Sequence, residues 1–524
     1  MADRARPLGR AGRLGVGAGA LVLAATLGPL AAVLAQAGAF SALGPADWAA
    51  LRFTVLQALI SACLSVALAV PLARALARRR FFGRGALITL LGAPFILPVI
   101  VAVLGLIAVF GRAGIVNMAL AAVGLPGVSI YGMHGVILAH VFLNLPLATR
   151  LILQGWLAIP SERFRLAASL GMGPADVQRR LEWPMLRDVG PGVLMAIFLI
   201  CLTSFAVALT LGGGPRATTL ELAIYQAFRF DFDLGRAAAL GVAQFALCAL
   251  AAGVALGLSA PAGLGAGLDR VPMRWDSGGA LLRVQDGMLL VLSALFLMAP
   301  LAMVIARGVP MIWDLPTPVW WAALRSVVLA VAVSVLTLGL ALVLAMAIVR
   351  LGPRTLGRGL ETAGMLTLAA SPLVMGTGLF LMLQPWVAPP RLALPVTGLV
   401  NALMSLPFVL RIILPALRDS ERDFGRLADS LGLTGLARLR WLTLPRLRRP
   451  LGFAAGLTAA LSIGDLGVIA LFADTDAATL PMQVLRLMGA YRTDQAAGAA
   501  VVLMALALAL FWICDQRGRA GAEL

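Results

Sequence analysis

Asp465 is an acidic residue well inside a long apolar segment of this 524-residue chain. An isolated carboxylate at the centre of a membrane helix costs roughly 2.5–3.5 kcal/mol on insertion scales, so such a residue usually faces protein or water. Two interpretations stay open. Asp465 could meet a positively charged ligand, or it could bond to Ser462, to a neighbouring helix or to a backbone donor. Gly464 and Gly467 favour the second, because they predict a local break in the helix.

The other reactive residue types lack the spacing that catalysis or metal binding needs. All 42 basic residues are Arg, which excludes P-loop phosphate binding, Schiff bases and Ser-Lys nucleophiles. His134 and His140 are six positions apart, about 600° around a helix, and therefore predict no metal pair. The cysteines lie in apolar segments without CxxC spacing, as small core residues do: Cys63, Cys201, Cys248 and Cys514. We therefore predict no catalytic residue, no metal site and no cofactor held by this chain.

The elements that carry these residues are apolar. Hydrophobic residues make up 61% of the chain and charged residues only 13%, which excludes a soluble enzyme of ordinary composition. The net charge of +18 comes from short Arg clusters between long apolar runs. That pattern is typical of cytoplasmic loops in a membrane protein rather than of a nucleic-acid groove with interleaved aromatic residues.

Twelve apolar runs are long enough to span a bilayer, which needs about 20 residues. The first follows several Arg residues and precedes an Ala35-Gln36-Ala37 sequence, but it is too long for a typical signal peptide and we interpret it as a retained anchor. The twelve runs lie near residues 14–34, 54–72, 86–110, 130–148, 189–211, 237–258, 288–305, 326–349, 362–383, 394–413, 451–472 and 496–514.

The Arg distribution predicts the orientation. With both termini in the cytoplasm, the inside loops and tails hold 30 Arg and the outside loops hold 10. This imbalance follows the positive-inside rule. We expect a multi-pass protein of the bacterial inner membrane.

An internal repeat divides the chain into two similar parts. LAASLGM from Leu166 matches LADSLGL from Leu427, and Pro184 matches Pro445, at a constant separation of 261 positions. Each copy follows the fourth span of its half. We therefore predict an all-α polytopic protein of about 12 transmembrane helices in two parallel six-helix repeats. The halves would be residues 1–258 and 288–524, joined by a cytoplasmic linker at 259–287.

Each copy predicts a short exposed helix, at 161–171 and at 420–432, within the cytoplasmic loops at 161–190 and 418–450. Ser161 and Ser420 suit the N-caps, and Gly171 and Gly432 suit left-handed C-terminal caps. Acidic residues favour the positive end of each helix, and one apolar face recurs at helical spacing. We predict that these two loops dock a partner, although packing against the chain's own bundle is the alternative. The predicted docking residues are Ser161, Glu162, Phe164, Ala167, Ala168, Gly171, Pro184, Ser420, Glu421, Phe424, Leu427, Ala428, Gly432 and Pro445.

The duplicated loop resembles the EAA loop of ATP-binding-cassette (ABC) importer permeases. Gly171 is followed by Leu181 and Trp183-Pro184, and Gly432 by Leu442 and Leu444-Pro445, but Arg165 and Arg426 replace the Glu of the motif. The chain is most similar to the fused two-half permeases that serve ferric iron and thiamine. The thiamine branch is favoured by the strings LGGGPRATTLELAIYQAF from Leu211 and SIGDLGVIALF from Ser462.

The resemblance implies a type I importer permease of the MetI-like fold that moves thiamine, and its phosphates, from periplasm to cytoplasm. Its implied partners are two copies of a cytoplasmic ABC ATPase, which would bind ATP and Mg, and a periplasmic substrate-binding protein. The positive thiazolium of thiamine would be the ligand of Asp465. Asp231 and Asp233 could seat the binding protein, or they could form an ordinary solvated surface. A ferric-iron permease of the same architecture and an ion-coupled secondary transporter are the alternative functions.

Overall fold

The computed structural model describes residues 10–36, 43–92, 96–214, 217–258, 278–352, 354–367, 370–387, 389–472 and 477–520. Within these ranges the chain forms helices and no strand. The predicted linker lies mostly outside them, as do Ala37 and the first nine residues. The helices α1–α12, which we call the first half, are Arg10–Gln36, Pro45–Arg78, Arg84–Leu90, Val99–Phe110, Ile115–Ala122, Met133–Ala158, Ser161–Ser169, Pro174–Val177, Trp183–Leu202, Phe205–Leu211, Leu220–Arg229 and Leu234–Gly257.

The second half comprises ten helices. They are α13–α22, at Ala280–Gly308, Thr317–Leu351, Thr355–Leu366, Pro372–Leu383, Pro389–Ser430, Gly435–Arg438, Leu444–Ile463, Gly467–Phe472, Leu480–Gly489 and Thr493–Ala520. Short π-helices at Gln178–Glu182 and Leu439–Thr443 precede α9 and α19. A 3₁₀ turn at Val309–Asp314 follows α13.

Eleven helical stretches of the described chain are long and apolar enough to cross a membrane, and α16 is a shorter apolar helix. Every one of the twelve predicted runs is helical, which confirms the all-α polytopic fold. Four runs are not continuous, however. The third and fifth runs of each half break, between α3 and α4, α9 and α10, α15 and α16, and α19 and α20. Pro98 and Pro372 stand at two of these breaks. A proline disfavours the helical conformation of the residue before it, which explains why the helix is interrupted there.

The structure repeats with the same separation as the sequence. The segment from α8 through the π-helix to α9 recurs 261 positions later as α18, a π-helix and α19, with the same lengths. A tertiary hydrogen bond recurs as well. The Leu220 N–H donates to the Thr54 hydroxyl at 2.8 Å, and the Leu480 N–H donates to the Ser326 hydroxyl at 2.8 Å. In each half, therefore, a hydroxyl on the second long helix satisfies the first turn of a short helix.

The first helix of each half packs on the other half. α1 lies against α14, α15 and α16, and α13 lies against α2 and α4. Glycines allow the close approach: a Cβ built on Gly105 of α4 would lie 2.6 Å from the Pro300 carbonyl oxygen of α13. Gly378 of α16 meets the Pro29 carbonyl of α1 in the same way. This exchange places α4 and α16 at the interface between the halves.

Candidate translocation path and duplicated loops

The break in the fifth run of the second half meets an element of the first half. A Cβ built on Gly464, beside the break between α19 and α20, would lie 3.1 Å from the Cα and Cβ atoms of Pro98. Pro98 belongs to the break between α3 and α4. Interrupted helices expose backbone groups, which in a membrane are tolerated where they are buried in protein or line a water-filled cavity. This contact between two helix breaks is therefore the candidate site of a central translocation path.

Asp465 lies in the break between α19 and α20, as the flanking glycines predicted. One carboxylate oxygen accepts a hydrogen bond from the Gly467 N–H at 3.3 Å, and the Asn401 amide is a second partner. Oδ2 is buried without a hydrogen-bond partner among the described residues. The contacts with Gly467 and Asn401 are of two kinds that the structural interpretation named, a backbone donor and a neighbouring helix, whereas Ser462, the third, receives a bond from Asn401 at 3.3 Å. The carboxylate therefore stabilises the break with one oxygen and leaves the other available.

A polar cluster in the first half, which was not predicted from the sequence, is made of Gln57, Gln244 and Glu221. Gln57 donates to the Cys201 carbonyl at 3.1 Å and Gln244 to the Leu202 carbonyl at 2.9 Å. These carbonyls belong to the last turn of α9, where no following turn of the helix supplies an N–H donor for them. Gln244 also donates to Glu221 Oε1 at 3.2 Å. Buried amides inside apolar runs were the available signal.

Glu221 is fully buried at the junction of the two halves. It lies on α11, outside the eleven long apolar stretches. Burial raises the pKa of its carboxyl to about 7, while hydrogen bonds with Ser371 and Gln244 oppose the shift. Ser371 precedes α16, so this carboxyl connects the first half to a helix break in the second.

The histidines have separate partners. His140 is buried and its Nδ1 lies 3.3 Å from the Ser61 hydroxyl, whereas the exposed His134 contacts the Ser129 carbonyl. In the described part of the chain, no group of three or more His, Cys, Asp or Glu side chains is arranged to hold a metal ion.

The two duplicated loops share one backbone course from their glycine caps onward, but not before them: α7 is a separate short helix, whereas the short helix predicted at 420–432 is instead the end of the long helix α17. Gly171 and Gly432 have φ of +64° and +66°, the left-handed conformation that was predicted for the C-terminal caps. The N-cap prediction was wrong for both serines. Ser161 is the first residue of α7, where Pro160 occupies the cap, and Ser420 is buried inside the long helix α17.

In the first loop, part of the predicted docking face is internal. Phe164 and Ala167 are 1% and 3% exposed and pack against Val177 in a small core of the loop itself. Glu162 is exposed, and hydrogen bonds from its own backbone N–H and from the Ser161 hydroxyl lower its pKa. Ala168, Gly171 and Pro184 are also exposed.

In the second loop, ion pairs hold the helices together. Arg438 on α18 pairs with Glu421 and, at 2.6 Å, with Asp429 on α17. The Arg446 guanidinium covers the Phe424 ring, 3.9 Å from its centroid. Ala428 is buried, Pro445 is half-buried and Gly432 is exposed.

Four leucines project from the two loops at equivalent positions. Leu166 and Leu170 are 60% and 62% exposed, and Leu427 and Leu431, 261 positions later, are 56% and 65% exposed. Of these, only Leu427 was among the predicted docking residues. Both loops thus present a pair of leucines at i and i+4, on one helix face.

Comparison with known proteins relates the whole chain to one group. It is 39% identical over 522 residues to the thiamine transport system permease protein of Brucella abortus, covering 97% of this chain and 96% of that protein. The Escherichia coli protein of the same name is 39% identical over 486 residues, covering 90% and 89%. The Haemophilus influenzae protein is 32% identical over 474 residues, covering 88% and 86%. No family model matches the chain.

The chain belongs to the family of thiamine transport system permease proteins. The family and the eleven long apolar stretches make it a multi-pass inner-membrane protein. As a member of this permease family it is a transport subunit and not an enzyme.

In this permease, Asp231 and Asp233, the two residues predicted to seat the binding protein, have partners within the chain. The Asp233 side chain caps α12 by accepting the Arg236 N–H at 2.9 Å. The Arg236 guanidinium pairs with Asp231 at 2.9 Å and with Asp47 at 2.8 Å. These contacts stabilise the turn between α11 and α12, and they favour the ordinary structural interpretation of both acids.

Two aromatic residues of the permease project from corresponding turns. Phe232 follows α11 and Tyr491 follows α21; they are 80% and 92% exposed. Their φ values are +52° and +59°, which are unusual for residues with a bulky side chain. Sequence patterns gave no signal for either conformation.

Proposed function

We propose that this chain is the membrane subunit of an ATP-driven importer that carries thiamine, and its phosphates, from periplasm to cytoplasm. The observation that carries the proposal is the duplicated loop, in which α8, the π-helix and α9 recur 261 positions later with the same lengths, since duplicated loops fit a pair of identical partners. The relatives, which are named for thiamine transport, favour thiamine over ferric iron as the substrate.

In the proposed topology both termini and both loops are cytoplasmic. The excess of Arg in the corresponding tails and loops supports this orientation. The halves at 1–258 and 288–524 would then move against each other as rigid bodies to open the path alternately to each side. Because α1 packs on α14, α15 and α16, and α13 packs on α2 and α4, each moving half would carry the first helix of the other.

Each loop would dock one ATPase subunit, which binds ATP and Mg outside this chain. The exposed leucine pairs, Leu166 with Leu170 and Leu427 with Leu431, would supply the apolar contact. The exposed predicted residues Ser161, Glu162, Ala168, Gly171, Pro184 and Gly432 would border it. The remaining ones, Phe164, Ala167, Ser420, Glu421, Phe424, Ala428 and Pro445, would shape the loops.

Asp465 would be an anionic contact for the cationic thiazolium as it crosses the path. Its unpartnered oxygen and its position at a helix break support that role. Replacement by Asn would keep the hydrogen bond from Gly467 but remove the charge, and we expect thiamine uptake to fall. Asp314→Asn, at an exposed acid of the turn after α13, is the matched control.

A periplasmic binding protein would dock on the outer surface. Because Asp231 and Asp233 already have partners within this chain, the projecting aromatic side chains of Phe232 and Tyr491 are the better candidates to contact the binding protein. Their places in the corresponding turns after α11 and α21 would let one partner touch both.

Copurification and uptake test the proposal together. The chain should recover a stoichiometric ATPase from its native membrane, and labelled thiamine uptake should require ATP and be inhibited by thiamine phosphates but not by ferric salts. ATP-independent uptake by this chain alone in proteoliposomes would instead indicate a secondary transporter.

A further inference from the structure

Three arginines at the cytoplasmic end of α2 contact acids from two other elements. Arg74 Nε lies 2.8 Å from Glu182 Oε2, in the π-helix of the first loop. Arg78 Nη2 and Arg79 Nε lie 2.8 and 2.7 Å from the two oxygens of Asp286. Asp286 is on α13, in the second half. We call these five residues the α2 ion-pair cluster.

The acids of this cluster are almost completely buried. The side chains of Glu182 and Asp286 are 1% and 2% exposed, and that of Arg78 is 4% exposed. Separating a buried ion pair leaves an uncompensated charge, which is strongly unfavourable. A motion of the first loop that pulled Glu182 away from α2 would meet this penalty. The cluster should therefore move as one body.

The second half has no matching charge at the corresponding position. The separation of 261 places Thr443 where the first half has Glu182, and Thr443 is buried and neutral. The contact of α1 with α14, which corresponds to that of α13 with α2, is made by the small residues Gly15 and Ala347. In the second loop, Arg438 pairs within the loop itself, with Glu421 and Asp429.

We propose that the α2 ion-pair cluster links the first cytoplasmic loop rigidly to α13 of the second half, so that the two loops are mechanically inequivalent. Motion of the first loop is transmitted through Glu182 and Arg74 to α2, and through Arg78 and Arg79 to Asp286. Motion of the second loop acts on its own half. Glu182 and Asp286 are positioning residues in this scheme. The inference rests on the proposed function, in which an ATPase moves both loops.

The test measures the amount of thiamine transported per ATP hydrolysed, in proteoliposomes that contain the chain with its ATPase and binding protein. Glu182→Gln and Asp286→Asn should each lower this ratio at least about fivefold, the range of a typical coupling between sites. Thr443→Val, the matched substitution in the second loop, should leave the ratio within about twofold of wild type on the same scale.

Two further variants separate transmission from folding. The double variant Arg74→Gln/Glu182→Gln removes both charges and should fold, but should keep the low ratio. The exchange Arg74→Glu/Glu182→Arg restores the pair and should recover it. A cluster that only stabilises the fold would change the yield and the melting temperature while the ratio of the folded protein stayed constant. That result, or an equal fall in Thr443→Val, would overturn the inference.

Failure of the proposed function would appear differently. Wild-type protein would then show no ATP-dependent uptake at all. Failure of the inference alone leaves wild-type coupling intact, and either the cluster variants keep the wild-type ratio or Thr443→Val lowers the ratio equally.

Discussion

Gly105 of α4 packs directly on the backbone of Pro300 in α13: a Cβ at this glycine would lie 2.6 Å from the proline carbonyl oxygen and 2.9 Å from its carbon. The pair Gly378 and Pro29 repeats the relationship between α16 and α1. Glycine is therefore required twice at the interface of the halves, each time opposite a helix exchanged from the other half.

Alanine at either position should destabilise the protein. We expect Gly105→Ala and Gly378→Ala each to lower the free energy of unfolding by about 1–3 kcal/mol, because the added methyl group overpacks a backbone contact. Gly339→Ala is the control, since Gly339 in α14 has open space around it and alanine favours helix by about 1 kcal/mol. Thermal unfolding in detergent measures all three. Equal stability of the three variants would contradict the packing argument.

The exposed leucines of the loops should determine ATPase binding. Leu166→Ala and Leu427→Ala should each weaken the association of the purified chain with its ATPase at least about fivefold, the effect expected of a central apolar contact. Phe82→Ala, at a fully exposed residue between α2 and α3, should bind like wild type. Titration of immobilised permease with ATPase supplies the affinities, and an unaltered affinity for both leucine variants would rule out this surface.

Glu221 should make the stability depend on pH. Its pKa is about 7 in the folded protein against an ordinary value of 4.5, so the folded state retains a proton that the unfolded chain releases. The free energy of unfolding should be highest below about pH 4.5 and should fall by up to about 3 kcal/mol as the pH rises through 7. In Glu221→Gln this part of the pH dependence should vanish. Melting temperatures between pH 5 and 8 would reveal it, and parallel profiles for both proteins would refute the assignment.

The left-handed backbone of Phe232 and Tyr491 should impose a measurable strain. Phe232→Gly and Tyr491→Gly should raise the free energy of unfolding by about 1 kcal/mol relative to the corresponding alanine variants, because glycine adopts a positive φ freely. If the two aromatic side chains contact the binding protein, both substitutions should also weaken its association with the permease. A pull-down with purified binding protein decides the second point independently of the first.

The sequence predicted the periodic features well. Apolar length located all twelve helical regions, and the repeat placed Gly171 and Gly432 correctly in left-handed caps. These features depend on local composition and on spacing along the chain, which a sequence displays directly.

The features that depend on tertiary contacts were missed. Nothing local distinguishes the apolar run at 362–383, which divides before Pro372, from one that continues through an internal proline, as α17 does. The burial of Phe164 against Val177 requires the loop to fold back on itself, so the predicted apolar face was assigned to a partner. The buried contacts of Glu221 were not predicted because its partners Gln244 and Ser371 are distant in sequence.

The exchange of α1 with α13 has a consequence for biosynthesis. When α1 leaves the ribosome, its partners α14, α15 and α16 have not yet been translated, and on the order of tens of seconds pass before they are. During that interval α1 must wait in the bilayer, shielded by lipid or by the insertion machinery. The helical bundle is therefore completed late in synthesis. In truncated chains that end before residue 383, α1 should lack its packing partners, and quality-control proteases can recognise such a helix.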